Sequence, residues 1–416
     1  MKVVEAFSGI GSQSKALSNI GADYEVVATI EWDINAIYAY DIIHNGPQDL
    51  SEYENVTKEE LIEKLSVHTI SGNGKEPLQK SNLKRYPLDA LMRIDYAIKR
   101  TKNLVSITDV KAINLPDNVD LLTYSFPCQD LSLSGSWHGN TKGIDRDANN
   151  RSGMLWEVER IIKEYDEIGK SKPKFLLMEN VTNIRSKRHI SNFTEWTTFL
   201  EEMGYINQIY DLSADNFGIP QKRKRTFMIS VLHNGNENFK KEVEIYFKNN
   251  NLESVNHEPK HLKNFLRTDY NVDAYRKEAL SSTPNYTISR RKIEISNDKL
   301  VENQKVCQSY VRTITTKQDR HPNSGVISLP KSLDAKTPFR YLTPRECFML
   351  MGFDEKDYQN LIDNNFMFNR SREFYGVEKL NKLAGNSIVV NVLEDIFKQI
   401  IEIQKIYKLK QKETSI

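Results

Sequence analysis

Cysteine is scarce in this chain. Cys128, Cys307 and Cys347 are the only three in 416 residues, far apart and without metal-ligand spacing. That excludes a disulfide framework and a cysteine-rich metal module, and it fits a reducing, cytoplasmic home. No run approaches the roughly 18 apolar residues of a membrane span. The opening "MKVVEAFSG" has no basic flank followed by an apolar stretch, so no secretory signal is expected. An excess of one charge is missing too: 58 Lys and Arg face 56 Asp and Glu, a net of +2. Bulk charge therefore gives no argument for a polyanionic partner. Basic residues gather only locally, in "QKRKR" (221–225), "RSKRH" (185–189) and "SRRK" (289–292), and such runs are usually solvated faces. There is no internal repeat and no low-complexity tract.

What is present is an alternation of short apolar runs with helical patterns. "KVVEAF", "EVVATI", "DLLTYSF", "KFLLMEN", "YINQIYDLS" and "TFMISVL" read as strands. "GSQSKALSNIG", "DINAIYAYDIIHN" with its Asp cap, "MLWEVERIIKEY" and "FTEWTTFLEEMG" read as helices. Strand–helix alternation predicts a mostly parallel α/β sheet covered on both faces, with ligands at the carboxyl ends of the strands. The polar stretch of about 47–105, with its charged helix "TKEELIEKLSV", reads as an insertion. From His233 to about Phe339 the chain turns irregular and rich in Asn, Lys and Asp. The stretch 386–408 is expected to be one helix returning to the first unit. These patterns divide the chain into 1–232, 233–365 and 366–416.

Several strand ends carry chemistry. "FSGIGS" places Gly9 and Gly11 at a strand-to-helix turn, where backbone can approach a ligand; the third glycine of a dinucleotide fingerprint is replaced by Ser14. Glu31 ends the second strand and is placed to accept two ribose hydroxyls. Asp109, in "SITDV", ends what reads as a further short strand and is placed to accept from an adenine amine. Together these point to an adenosine-containing ligand, either a dinucleotide or S-adenosylmethionine. Cys128 follows a strand end and Pro127; as an isolated thiol it is more often structural, and as a thiolate it is a nucleophile. The glycine-bearing polar loop after it reads as a mobile lid. Glu179 closes a strongly apolar strand, where desolvation suits an acid catalyst; the plainer reading is a strand-end cap. Arg223 and Arg225 alternate, so in extended chain they share a face suited to a carboxylate, a phosphate or a base edge.

The order of these motifs resembles the cytosine-C5 DNA methyltransferase family. "FSGIG", Glu31-Trp32 and Asp109-Val110 look like its cofactor blocks. "PCQDLSLSG" looks like its nucleophile block and "ENV" (179–181) its acid block. "QKRKR" fits Gln-x-Arg-x-Arg, "RYLTPREC" (340–347) the ninth block, and "AGNSIVV" (384–390) the tenth. Ser12 departs from the family's usual glycine. The insertion is longer than the family norm and is similar to one in a bacterial subgroup that includes CpG-specific enzymes. The resemblance implies a class I S-adenosylmethionine-dependent methyltransferase sheet (Rossmann-like) with a smaller, irregular target-recognition domain.

It further implies methyl transfer from S-adenosylmethionine to carbon 5 of a cytosine flipped out of double-stranded DNA. Cys128 is then the nucleophile and Glu179 the acid. Arg225 contacts the base and orients Glu179, Arg223 braces the site and Asn180 helps hold the base. Phe7, Ser8, Gly9, Ile10, Gly11, Glu31, Trp32, Asp109, Val110, Asn386 and Ser387 are implied for the cofactor, and Gln129, Ser132 and Gln221 for DNA. No metal is implied. A monomer is expected, acting alone or beside a separately acting restriction endonuclease. Three rivals stand against this reading: a nicotinamide-dependent oxidoreductase, which needs no Pro-Cys-Gln; a tRNA methyltransferase of the same chemistry; and a DNA-binding regulator with a dead site.

Overall fold

The computed structural model describes residues 1–127, 131, 144–146 and 151–413. Cys128, Gln129 and Ser132 lie outside the described residues. The first strand, β1 (Lys2–Ala6), leads through a glycine turn to α1 (Ser12–Asn19) and β2 (Glu25–Ile30). Asp33 caps α2 (Ile34–Asn45) by accepting from the Asn35 N–H. The insertion carries α3 (Lys58–Ser66), opened by a Thr57/Glu60 capping box, and α4 (Leu88–Arg100). Then come β3 (Leu121–Tyr124), α5 (Leu155–Glu167), β4 (Phe175–Val181), α6 (Ile190–Glu202), β5 (Tyr205–Ser213), the two-residue β6 (Gln221–Lys222) and β7 (Lys224–Leu232).

Six of these strands form one sheet in the order β2-β1-β3-β4-β7-β5. The pairings among β1, β2, β3 and β4 are parallel, whereas β7 runs antiparallel to both its neighbours. The chain leaves β1 toward β2 and later returns to its other side with β3. The strand order therefore reverses at β1, and the crevice at its carboxyl end is where such sheets take ligands. Alternation along β1 separates two cores: Val3 joins the cluster under α1 and α2, while Val4 joins the one under α5 and α6. A third cluster, with Leu61, Leu65, Leu91 and Ile94, packs the insertion on Ile34 and Ile37 of α2.

The segment after His233, read as irregular, begins with an amphipathic helix, α7 (Glu237–Asn249), whose Phe239, Val243 and Phe247 join the main core. Beyond it lie α8 (Asp273–Ser281), α9 (Ile288–Ser296), β8 (Lys299–Glu302), β9 (Lys305–Val306), β10 (Val311–Arg312), β11 (Val326–Ser328) and β12 (Phe339–Arg340). Four of them make a small sheet, β12-β11-β8-β9, while β10 pairs with β6. "TPRE" forms the capping box of α10 (Pro344–Leu350), and its Glu346 also forms a fully buried bidentate pair with Arg340 at 2.7 and 2.8 Å. The helix expected over 386–408 is α12 (Val390–Glu413), which starts four residues later because Asn386 ends a preceding helix, α11 (Val377–Asn386). Ser387 is extended, and its hydroxyl donates to the Leu383 carbonyl, which closes the first helix.

Candidate active site

The turn after β1 is built on positive φ angles at Phe7 (56°), Gly9 (55°) and Gly11 (79°). Gly11 is required by packing: a Cβ there would stand 2.1 Å from His44 Nε2. That imidazole is in turn bonded to the Ile10 carbonyl at 3.0 Å. Ser8 and Ile10 are buried within the turn.

The turn and the end of β2 are joined through Glu31. Gly9 N–H donates to its Oε2 at 3.0 Å and Asp33 N–H to its Oε1 at 2.8 Å. Each oxygen thus holds one backbone donor and keeps a lone-pair direction for another. Burial, with the nearby charge of Asp33, pushes the Glu31 carboxyl up to about 7. Trp32 is half-buried against the insertion core.

The far side of the crevice belongs to β3 and β4. Tyr124 and Met178 are register partners, so the chain leaves β3 alongside Glu179 and Asn180. Asn180 is buried, and its amide nitrogen donates to the Phe126 carbonyl at 3.1 Å, two residues before Cys128. Glu179 is held across the sheet from Arg225, Nε to Oε1 at 3.5 Å. Burial raises its pKa, opposed by the charges of Arg225 and Arg223.

Arg223 is buried and binds three carbonyls: Ile314 at 2.8 Å, Gly385 at 3.2 Å and Ser387 at 2.9 Å. Gln221 is fully buried; its amide donates to the Leu350 carbonyl at 2.8 Å and accepts from the Ile314 N–H at 2.9 Å. It braces the fold from within. Gly385 fits its position only as glycine, because a Cβ would lie 2.4–2.6 Å from the Thr315–Thr316 backbone. Asn386, beside it, is exposed and Ser387 buried.

The segment expected to be a strand at 106–109 is a turn, with Asp109 N–H bonded to the Ser106 carbonyl at 3.0 Å. Asp109 is exposed and Val110 buried, and Arg160 holds the turn by donating to the Ile107 and Val110 carbonyls at 3.1 and 2.8 Å. The structure thus brings Phe7, Gly9 and Glu31 together, and Glu179 together with Arg225. Asn103, bonded to the Glu31 backbone, makes contacts here that no motif announced.

A family model described as C-5 cytosine-specific DNA methylase matches residues 93–402. The orphan methyltransferase M.SssI of Spiroplasma monobiae is 34% identical over 96% of this chain and 97% of its own length. The type II methyltransferase M2.ScrFI of Lactococcus lactis subsp. cremoris is 30% identical over 97% and 100%. Among solved structures, S. pombe Dnmt2 methyltransferase superposes with a TM-score of 0.56 at 18% identity, covering 97% of this chain and 98% of its own. The Entamoeba histolytica methyltransferase EhMeth gives 0.56 at 17% identity, covering 97% and 98%. The last two are likenesses of fold.

Proposed function

Because the chain belongs to the C-5 cytosine-specific DNA methylase family, we propose that it methylates carbon 5 of cytosine through a covalent bond from Cys128. The observation that carries this reading is the β3–β4 end, where Asn180 ties down the backbone before Cys128 and Glu179 sits beside it, paired with Arg225.

The family uses S-adenosylmethionine, and the crevice fits it. A Cβ at Gly9 would meet nothing within 4 Å, so the turn borders open space, and each Glu31 oxygen has room for a ribose hydroxyl. Phe7 and Gly9 would line the methionine end, Glu31 hold the ribose, and Trp32 and Asp109 flank the adenine. Asn386 and Ser387 would close the pocket. When bound, the group supplies an electrophilic methyl on a sulfonium.

Carbon 5 of cytosine is a weak nucleophile. The Cys128 thiolate adds to carbon 6, and the Glu179 carboxyl gives its proton to ring nitrogen 3, which neutralises the charge that forms. Carbon 5 is then electron-rich enough to take the methyl. Loss of the carbon 5 proton to solvent water, expulsion of the thiolate and return of the nitrogen 3 proton to the Glu179 carboxylate restore the ring. Arg225 orients the Glu179 carboxyl, Arg223 fixes the strand that carries it, and Asn180 acts through the Phe126 carbonyl. The cytosine must leave the duplex, at a cost of a few kcal/mol. Gln129 and Ser132 are candidates for DNA contact, and residues 233–365 for target recognition. The enzyme acts as a monomer in the bacterial cytoplasm, alone or beside a restriction endonuclease.

The test is a trap. With cofactor and a duplex carrying 5-fluorocytosine at its site, the wild type should form a covalent adduct stable to denaturation, and Cys128→Ala should form none. Methyl transfer persisting in Cys128→Ala would refute the nucleophile.

A further inference from the structure

The insertion of about 47–105 has no part in the chemistry above, yet its exit and a turn at its middle grip one short segment, Glu31 to Ile34. We infer that Asn103, at the insertion's exit, is a positioning residue for Glu31, and that the insertion thereby clamps the ribose end of the cofactor pocket. This rests on the reading of Glu31 as the ribose ligand.

The need arises from topology. β2 is the edge strand of the six-stranded sheet, so its outer N–H and C=O groups lack a partner strand. The tail of the insertion covers that edge. Thr29 N–H donates to the Lys102 carbonyl at 3.3 Å and Leu104 N–H to the Thr29 carbonyl at 2.8 Å. Main-chain pairing with this tail stops there, two residues short of Glu31. The Asn103 side chain then extends the ladder. Its Oδ1 accepts from Glu31 N–H at 3.1 Å and its Nδ2 donates to the Glu31 carbonyl at 2.9 Å. A carboxamide has the same donor and acceptor as a peptide unit, so it stands in for the missing strand residue. Oδ1 also accepts from Val105 N–H at 2.9 Å, which fixes the amide's own orientation. Asn103 is 6% exposed, so water does not readily replace these bonds.

A turn at the middle of the insertion, residues 71–73, holds the residues that follow. Ser71 N–H donates to the Trp32 carbonyl at 2.7 Å, and the Ser71 carbonyl accepts from Ile34 N–H at 3.0 Å. Lys382 of α11 bridges Asp33 Oδ2 and the Asn73 carbonyl, both at 2.6 Å. The backbone of Glu31 is thus fixed at both its polar atoms, and its carboxylate can meet Gly9 without further ordering.

The full-length protein tests this by direct binding. Calorimetry would measure S-adenosylhomocysteine affinity for the wild type, Asn103→Ala, Asn103→Asp and Glu31→Ala, with duplex DNA affinity measured in parallel. Loss of the two hydrogen bonds to Glu31 should weaken the nucleoside in Asn103→Ala about tenfold, with DNA affinity held within about twofold. Asn103→Asp keeps both accepted N–H bonds but places a negative charge beside Glu31. It should move the pH dependence of nucleoside affinity upward, which a merely structural role would not do. Should Asn103→Ala fail to fold, Asn103→Asp carries the test. Glu31→Ala weakened with both Asn103 variants like wild type overturns this inference alone. Glu31→Ala with unchanged affinity overturns the ribose reading and this inference with it. Equal losses for nucleoside and DNA in the Asn103 variants also overturn it, because they mark general loosening.

Discussion

Replacing Glu5 by glutamine should stabilise the protein at alkaline pH and not in acid. Glu5 sits in β1, directly before the cofactor turn, and is fully buried. Ser14 Oγ donates to its Oε1 at 2.7 Å, and the Tyr40 hydroxyl lies 2.8 Å from that Ser14 oxygen. Oε2 accepts from no described residue. Burial therefore dominates and pushes the carboxyl from its ordinary 4.5 up to about 7, against the pull of the Ser14 and Tyr40 hydroxyls. The sign follows from proton counting. Between 4.5 and about 7 the folded protein keeps a proton that the unfolded chain has released, so stability falls as pH rises through that window and is flat above it. At about 1.4 kcal/mol per pH unit the ionised carboxylate costs roughly 3 kcal/mol above pH 7. Glutamine cannot ionise and keeps the acceptor for Ser14. Urea denaturation of both proteins at pH 4.5, 6 and 8 isolates the difference, because every other titrating group is shared. The gap between variant and wild type should move toward the variant by roughly 3 kcal/mol from the lowest pH to the highest. A gap that stays constant across the series would refute the reasoning.

The same logic applies to Glu31 with binding in place of folding. On the proposed reading of Glu31 as the ribose ligand, ribose hydroxyls donate to its ionised form, so nucleoside affinity should weaken as pH falls through about 7, and Glu31→Gln should flatten the profile measured by calorimetry. Glu179→Gln removes the proton donor while leaving the cofactor side intact. Its kcat should fall by about 10²–10⁴ with S-adenosylhomocysteine affinity unchanged. Gly385→Ala forces a Cβ into the Thr315–Thr316 backbone and should cost about 1–3 kcal/mol, read as a lower melting temperature.

The strands were legible because an apolar run ending in Gly, Asp or Glu marks the carboxyl edge of a sheet, and this sheet presents Phe7, Glu31 and Glu179 on such edges. "SITDV" misleads because its alternation mimics a strand. Instead the Asp109 N–H closes a turn on the Ser106 carbonyl, and the Ser106 and Thr108 hydroxyls bond each other at 2.8 Å. The break at Ser387 is hidden because apolar spacing continues across it. In α7, Phe239, Val243 and Phe247 recur at helical spacing, but the charged residues between them mask the signal. Gln221 reads as a DNA contact within Gln-x-Arg-x-Arg, which misses its internal bracing role, and nothing in the sequence singles out Asn103. Their partners, Leu350 and Glu31, lie 129 and 72 positions away, and no local pattern encodes a hydrogen bond at that range.

Arg223 draws on carbonyls 91, 162 and 164 positions downstream. Translation therefore delivers the reactive half of this enzyme well before the half that locks it into shape. A nascent chain that has reached β7 carries thiol, carboxyl and guanidinium groups, while the Ile314 carbonyl that Arg223 grips follows 91 positions later and those of Gly385 and Ser387 only near the end. On the proposed reading, competence to modify a genome thus arrives late on the ribosome, when the far segment closes over the guanidinium.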